Sequence, residues 1–226
     1  MIDSTSAQLS SSPGWRRALA PAGRFFFKSR DFLFPVVFLG LALASRPIGG
    51  PAGGQYDRAL DAAGILVALS GQLLRAVVIG FAYIRRGGKN KQVYADSLVQ
   101  EGVFAHSRNP LYLGSFILGL GFTVAASSNL LLFLILGGLF ASLFLGIYWP
   151  VMRVEASTLA EMFGEEYERY AAAVPLLLPR LTPYGAGEDS NVRFDPSLYL
   201  RYREYRAALG LLVAWCVLLL KAVLAF

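Results

Sequence analysis

The chain has 226 residues, of which 55% are hydrophobic and 16% are charged, and its mean hydropathy is +0.50. This composition is too apolar for an ordinary water-soluble domain and indicates that the lipid bilayer is the solvent. The net charge of +6 does not indicate nucleic-acid binding, because the basic residues lie beside apolar stretches, where membrane topology and anionic head groups account for them.

Apolar stretches along the chain predict an all-α fold, a polytopic membrane helix bundle with about five transmembrane helices. A membrane span needs about 20 apolar residues. Three stretches reach that length, and two shorter ones are counted with them. In chain order the five are residues 32–44, 60–84, 111–126, 130–152 and 207–226. The third and fourth are joined through Ser127-Ser128-Asn129, which predicts a tight hairpin.

The basic residues predict the orientation of these spans. Lys and Arg concentrate before the first span and in residues 85–108 and 153–206, whereas the alternate loops hold only Arg46 and Arg58. Because cytoplasmic loops retain basic residues, we expect a protein of the inner (cytoplasmic) membrane with its N-terminus inside and its C-terminus outside.

The same pattern divides the chain into three parts. Residues 1–24 form a polar tail and residues 25–185 the membrane core, and residues 186–226 supply a cytoplasmic connector and the last span.

The first cytoplasmic segment leads directly into the third span at Asn109-Pro110. Asn is a common N-cap and Pro suits the first helical position, so we expect a helix that begins sharply at the membrane surface. Such an N-terminus can bind a carboxylate. The spacing alone favours the other interpretation, an ordinary capped helix with Arg108 at the head groups.

The second cytoplasmic segment begins as the fourth span ends and is predicted to be an amphipathic helix. One face is apolar and the other carries Glu161, Glu165 and Glu168; the apolar positions at helical spacing are Leu159, Phe163, Tyr167 and Tyr170. Glu155 falls on the apolar face, where an acid needs a partner or has a task. A salt bridge to Arg108, Arg153 or another basic neighbour is the structural alternative.

Gly164 lies inside this predicted helix and indicates either close packing or a local break. Val174-Pro175 and Pro179 are expected to end the helix and turn the chain.

Two further residues are candidates for chemistry because of where they lie. Arg75 lies within the second span, where an arginine is expected to pair with an inward carboxylate or with a substrate head group. His106 precedes the third span and is either a packing residue or a catalytic imidazole. Since the chain has only this histidine and Cys216, we expect neither a metal site nor a disulfide framework.

The two cytoplasmic segments resemble the isoprenylcysteine carboxyl methyltransferase and phospholipid methyltransferase superfamily of integral membrane enzymes. The first motif of that superfamily resembles Gly-x-Tyr-x-x-x-Arg-His-Pro-x-Tyr-x-Gly, and the chain has Gly102, Phe104, Arg108-Asn109-Pro110, Tyr112 and Gly114 in this order. The second motif, with its Glu-Glu pair and Phe-Gly-x-x-Tyr-x-x-Tyr, is matched by Glu155, Leu159, Phe163-Gly164, Tyr167, Tyr170 and Val174-Pro175.

The resemblance implies that S-adenosylmethionine binds between the two segments and that a lipid or lipid-attached acceptor, a carboxylate or an amine, enters from the bilayer. The residues implied to bind the cofactor are Gly102, Val103, Phe104, His106, Arg108, Asn109, Tyr112, Glu155 and Tyr167. Glu155, Arg75 and His106 are the candidate catalytic residues.

The sequence departs from the motifs at two positions, since Asn109 stands in place of the histidine and Ala156 in place of the second glutamate. Two alternatives therefore stay open. One is a membrane sterol or enone reductase of related architecture that uses a nicotinamide cofactor, and the other is a non-catalytic membrane scaffold.

Overall fold

The computed structural model describes Gly40 and residues 55–81, 97–127, 129–185, 194–201 and 203–224. All regular elements within these residues are helical, in the order α1 (Gln55–Phe81), a 3-10 turn (Gly102–Ala105), α2 (Pro110–Ala125), α3 (Leu130–Phe163), α4 (Glu165–Ala173), α5 (Ser197–Arg201) and α6 (Tyr205–Leu224). The all-α prediction is confirmed for this part of the chain. The predicted polar tail and, except for Gly40, the first predicted span lie outside it.

Within the part of the chain that the structure describes, two helices are long and apolar enough to cross a membrane. They are Ala59–Phe81, with 23 residues and a hydropathy of 1.9, and Leu130–Phe163, with 34 residues and a hydropathy of 2.6. Both expose large aliphatic side chains, including Leu66 at 67% and Leu134 at 58%. Exposed apolar surface of this extent fits a lipid environment better than water. α2 and the stretch Ala208–Val217 of α6 are apolar but shorter.

The predicted hairpin between the third and fourth stretches is present. α2 begins at Pro110, as predicted, and ends at Ala125, and α3 begins at Leu130. The Asn129 side chain accepts a hydrogen bond of 2.9 Å from the Leu132 amide and so caps α3. This polar cap starts α3 within a few residues of the end of α2.

α3 is continuous and is much longer than the fourth predicted span. Its 34 residues extend about 51 Å at 1.5 Å per residue, against about 30 Å for a hydrocarbon core. The Arg153 guanidinium lies over the Trp149 ring, 4.9 Å from its centroid. An Arg–Trp pair is typical of the membrane–water boundary.

Gly164 separates α3 from α4. The sequence had left open whether this glycine indicates close packing or a local break in the helix. Its φ of 54° and ψ of −130° belong to a region that glycine reaches readily. A Cβ at this position would have no heavy atom within 4 Å. The glycine therefore marks a break in the helix, and close packing does not explain it.

α1 and α2 pack backbone to backbone through small residues. A Cβ on Gly71 would lie 2.4 Å from the Leu118 amide nitrogen, and one on Gly121 would lie 2.3 Å from that of Ala68. No larger side chain fits at these contacts without separating the helices. Small residues at such spacing allow helices to associate closely in a membrane.

The residues before α5 pack against the C-terminal end of α1. The Asp195 amide donates to the Gly80 carbonyl at 2.9 Å, and the Phe194 ring lies 5.2 Å from the Phe81 ring. On α6, the ring of Trp215 contacts that of Phe122 on α2, with centroids 5.7 Å apart. The described C-terminal residues are thus attached to both α1 and α2.

Candidate functional site

The segment before α2 and the segment after α4 interlock through backbone contacts. We call residues 102–109 the first loop and residues 174–184 the second loop. The Arg108 amide donates to the Pro175 carbonyl at 3.0 Å, and the Tyr184 amide donates to the Ala105 carbonyl at 3.0 Å. The buried Ser107 hydroxyl donates to the Leu177 carbonyl at 2.8 Å. Both motif segments therefore form one structural unit at the N-terminus of α2.

Asn109 occupies the N-cap position of α2, but its side chain has another role from the one predicted. It makes no capping hydrogen bond. Its Nδ2 donates instead to the Leu176 carbonyl in the second loop, at 2.9 Å. The prediction that the side chain caps α2 was wrong, because its Nδ2 is bonded to the second loop and the side chain is directed toward that loop.

His106 is bound to the second loop by both its backbone and its side chain. Its carbonyl accepts from the Arg180 amide at 2.9 Å, and its Nδ1 lies 2.8 Å from the Arg180 carbonyl. A carbonyl can only accept, so Nδ1 carries the proton in this contact. These bonds fix the orientation of the imidazole.

Arg108 and Tyr167 bring the two motifs together through side chains. The Arg108 Nη1 donates to the Tyr167 hydroxyl at 3.2 Å, and the guanidinium carbon lies 6.0 Å from the ring centroid. The Nε of Arg108 is buried and has no hydrogen-bond partner among the described residues. A buried guanidinium donor without a partner is suited to an anionic oxygen from a ligand.

Glu155 projects inward from α3, as the helical periodicity predicted. Its Oε1 accepts a hydrogen bond of 3.0 Å from the Tyr112 hydroxyl of α2. The Tyr112 ring in turn packs against Tyr148, with centroids 5.0 Å apart. One partner of Glu155 is thus a hydroxyl, which the sequence had not suggested, and the contact connects residues of the first and second motifs.

The remaining residues of the first loop support its shape. Gly102 has a φ of 57°, which glycine adopts without strain. Phe104 is buried with Val78 of α1, and Val103 packs against this pair. The buried Tyr170 hydroxyl donates to the Phe104 carbonyl at 2.8 Å.

The pKa of Tyr170 is raised well above its ordinary value. Burial is the main cause, and the neighbouring Tyr167 adds to it, while Arg108 opposes the shift. The Tyr170 hydroxyl therefore keeps its proton and remains a donor to the first loop.

Arg75, on α1, contacts α2 about one helical turn from the Tyr112–Glu155 contact. Its Nη1 donates to Ser115, the residue three positions after Tyr112. Its Nη2 pairs with the Glu204 carboxylate at 2.5 Å. The inward carboxylate predicted for Arg75 is present and comes from the segment between α5 and α6.

The partners that hold these residues in place were not predicted from the sequence. The second loop was predicted only to turn the chain. In the structure, three of its carbonyls are the acceptors that fix the first loop: Leu176 for Asn109, Leu177 for Ser107 and Arg180 for His106. The prolines of the second motif were the available signal, because they mark a loop of defined shape. Glu204 carried no comparable signal.

The fold and the site define the class. The chain is a helical protein compatible with a membrane, and its polar groups cluster at the N-terminus of α2 and near the end of the apolar stretch of α3. The family model described as phospholipid methyltransferase matches residues 62–166. This match agrees with the resemblance of the two motifs and covers α2, α3 and most of α1. No curated protein and no solved structure gave a significant match.

Proposed function

We propose that this protein transfers the methyl group of S-adenosylmethionine to a lipid or lipid-attached acceptor at the cytoplasmic membrane face. The observation that supports this most strongly is the convergence of the two motifs in the contacts Arg108–Tyr167 and Tyr112–Glu155. The match to a methyltransferase family over residues 62–166 supports the reaction type.

The site can hold S-adenosylmethionine through one identifiable residue, Arg108. S-adenosylmethionine carries a carboxylate. The buried Nε of Arg108, which has no hydrogen-bond partner among the described residues, is a charged donor that can bind one. We assign Arg108 and Tyr167 to hold this group, beside the N-terminus of α2, whose free amides also favour an anion. When bound, the cofactor supplies an electrophilic methyl group on a sulfonium.

Glu155 favours an amine acceptor. An ammonium must lose a proton before its nitrogen can attack a methyl group, and a carboxylate facing the site can accept that proton. The Tyr112 hydroxyl holds the Glu155 carboxylate in one orientation through its hydrogen bond of 3.0 Å. A carboxylate acceptor needs no deprotonation and would meet repulsion from Glu155.

The apolar helices around the site exclude water from the reactants. As a sulfonium transfers its methyl group to a neutral amine, the S–C bond breaks, the N–C bond forms and the positive charge moves from sulfur to nitrogen. This charge is spread over both atoms in the transition state, so a site of low dielectric helps the step, and positioning both reactants contributes about 7 kcal/mol or more. The exposed aliphatic faces of α1 and α3 give a lipophilic acceptor direct access from the bilayer.

We further propose five spans, with the N-terminus inside and the C-terminus outside. α1, α2, α3 and α6 account for four of them, and the distribution of Lys and Arg supports the orientation. The Arg153–Trp149 contact supports the inner boundary, because the loop-built site begins just beyond it.

Calorimetric binding of S-adenosylhomocysteine to the purified protein tests this proposal. Arg108→Lys keeps the charge but removes the guanidinium fork, and we expect it to weaken binding by at least about tenfold, which corresponds to about 1.4 kcal/mol. Arg169→Lys, at a surface ion pair with Glu165, is the matched control and should bind like the wild type. Binding of a nicotinamide cofactor in place of S-adenosylhomocysteine would support the reductase alternative and contradict the proposal.

A further inference from the structure

Among the described residues, the Nε–Nη2 edge of the Arg75 guanidinium is only partly filled. Its side chain is 14% exposed and that of Glu204 is 12% exposed, so the ion pair is largely buried. The Nε of Arg75 is also buried and has no hydrogen-bond partner among the described residues. Glu204 thus contacts one nitrogen of this edge and leaves the other empty.

An oxyanion with two suitably placed oxygens would fill the edge completely. In a guanidinium, Nε–H and Nη2–H point in the same direction, and this fork matches the spacing of two oxygens on a carboxylate or a phosphate. Glu204 supplies a single contact, at 2.5 Å to Nη2. The Nε–Nη2 edge of Arg75 is therefore better suited to a bidentate anion, which contacts both nitrogens, than to Glu204, which contacts only Nη2.

We propose that Arg75 binds the phosphodiester of the acceptor lipid and that Glu204 is a resident anion that the phosphodiester displaces. The inference rests on the proposed function, because it takes the ligand to be the acceptor. Ser115, bound to Arg75, lies three residues beyond Tyr112 on α2, a rise of about 4.5 Å. A phosphodiester at Arg75 leaves the adjacent head-group nitrogen near Glu155.

The backbone around Glu204 allows this exchange. Glu204 follows α5 in a tight turn in which its amide donates to the Tyr199 carbonyl at 3.0 Å, and the Arg203 amide donates to that of Leu200 at 3.0 Å. Arg203 has a φ of 58°, which is strained for a residue with a side chain. The carboxylate stands on a turn rather than within a helix, so it can leave Arg75 without any helix unwinding.

Thermal unfolding of the protein in micelles of a neutral detergent tests the site without requiring turnover. The probes are dioleoylphosphatidylethanolamine, dioleoylglycerol, which lacks the phosphate, and inorganic phosphate. We expect only the phospholipid to raise the unfolding midpoint, since a ligand that binds the native state stabilises it. Glu204→Gln should reach half-saturation at an approximately tenfold lower phospholipid concentration, because a competing charge is removed.

Arg75→Lys should remain folded and lose the phospholipid-dependent rise, because a lysine cannot fill the fork. Glu165→Gln, at an exposed ion pair, is the matched control and should respond like the wild type. The proposal is overturned if Glu204→Gln lowers the midpoint and leaves half-saturation unchanged, or if dioleoylglycerol or inorganic phosphate stabilises the protein equally well. Phospholipid binding with this variant pattern but without methyl transfer would support the Arg75 site and contradict the proposed function.

Discussion

The Tyr170 hydroxyl connects α4 to the first loop by its bond to the Phe104 carbonyl. Tyr170→Phe leaves that buried carbonyl without this donor, so we expect the free energy of unfolding to fall by about 1–3 kcal/mol. Thermal unfolding measures the loss. Tyr184→Phe, at a ring that packs on Tyr170 with centroids 5.6 Å apart, is the control and should change little.

The pH dependence of this effect follows from the raised pKa of Tyr170. The folded state keeps the proton to higher pH than the unfolded state, so the stabilisation is complete below the ordinary tyrosine pKa of 10.0 and is lost as pH rises through the folded value. The difference between wild type and Tyr170→Phe should therefore be constant below about pH 9 and shrink above it. A difference that changes near neutral pH would contradict this assignment.

Glu155 is the residue whose role in the site can be separated most clearly from a role in stability. Glu155→Gln keeps an oxygen to accept from Tyr112 but cannot accept a proton, so we expect turnover to fall about a hundredfold with the fold retained. Methyl transfer and thermal unfolding are measured on the same preparation. Glu161→Gln, on the exposed face of α3, should be unaffected.

A structural role for Glu155 would give the opposite pattern. Removing one partner of a buried ion pair costs about 3–5 kcal/mol, so stability would fall with turnover. Turnover and stability that both equal those of the wild type would refute either role.

At the residue scale, the sequence predicts which way a side chain points better than it predicts which group that side chain contacts. Helical spacing placed Glu155 on the inward face because position within a helix is a local property. The same reasoning failed for the Asn109 side chain, because its acceptor, the Leu176 carbonyl, lies 67 positions away in the chain. A local pattern holds no information about which distant carbonyl will be nearest.

Contact between α1 and α2 depends on glycine at Gly121. A Cβ there would meet the Ala68 amide nitrogen at 2.3 Å and the Gly64 carbonyl at 2.6 Å. We expect Gly121→Ala to lower the free energy of unfolding by about 1–3 kcal/mol, because backbone atoms cannot move aside as side chains do. Thermal unfolding in detergent measures this change.

Gly138→Ala is the matched control on α3. A Cβ at Gly138 would have no heavy atom within 4 Å, so the variant should be as stable as the wild type or gain up to about 1 kcal/mol from helix propensity. Equal effects of the two substitutions would contradict close packing between α1 and α2.

At the element scale, local signals predicted where most helices begin and end. Asn109-Pro110 predicted the start of α2, and the hairpin residues predicted its end. The glycine contact was overlooked, although Gly64, Ala68 and Gly71 recur on one face of α1. Their spacing is a usable signal, but it does not identify the helix that packs there.

The orientation of the whole molecule can be tested by cysteine labelling. In a Cys216→Ser background, Leu131→Cys should react with an impermeant reagent from outside, and Leu181→Cys only after the membrane is permeabilised. Both positions are well exposed, at 68% and 97%. Ser127 in the same hairpin is a poor site because it is 1% exposed. The reverse labelling pattern would invert the topology.

At the scale of the whole chain, sequence predicted the helical class and the family but not how the C-terminal residues join the core. Arg75 was expected to meet an inward carboxylate, and that carboxylate, Glu204, is 129 positions away. Nothing local to Glu204 distinguishes it from the other acids of the chain. Such a pair is determined by the packing of α5 beside α1, which arises only in the folded molecule.

Transfer of a labelled methyl group from S-adenosylmethionine to a lipid extract tests the central claim most directly. We predict that the wild type places label in a phospholipid with a free amine, that Arg108→Lys raises the S-adenosylmethionine concentration needed, and that Glu155→Gln lowers the maximal rate about a hundredfold. A folded wild-type protein that binds S-adenosylhomocysteine but transfers no label to any lipid fraction would contradict it.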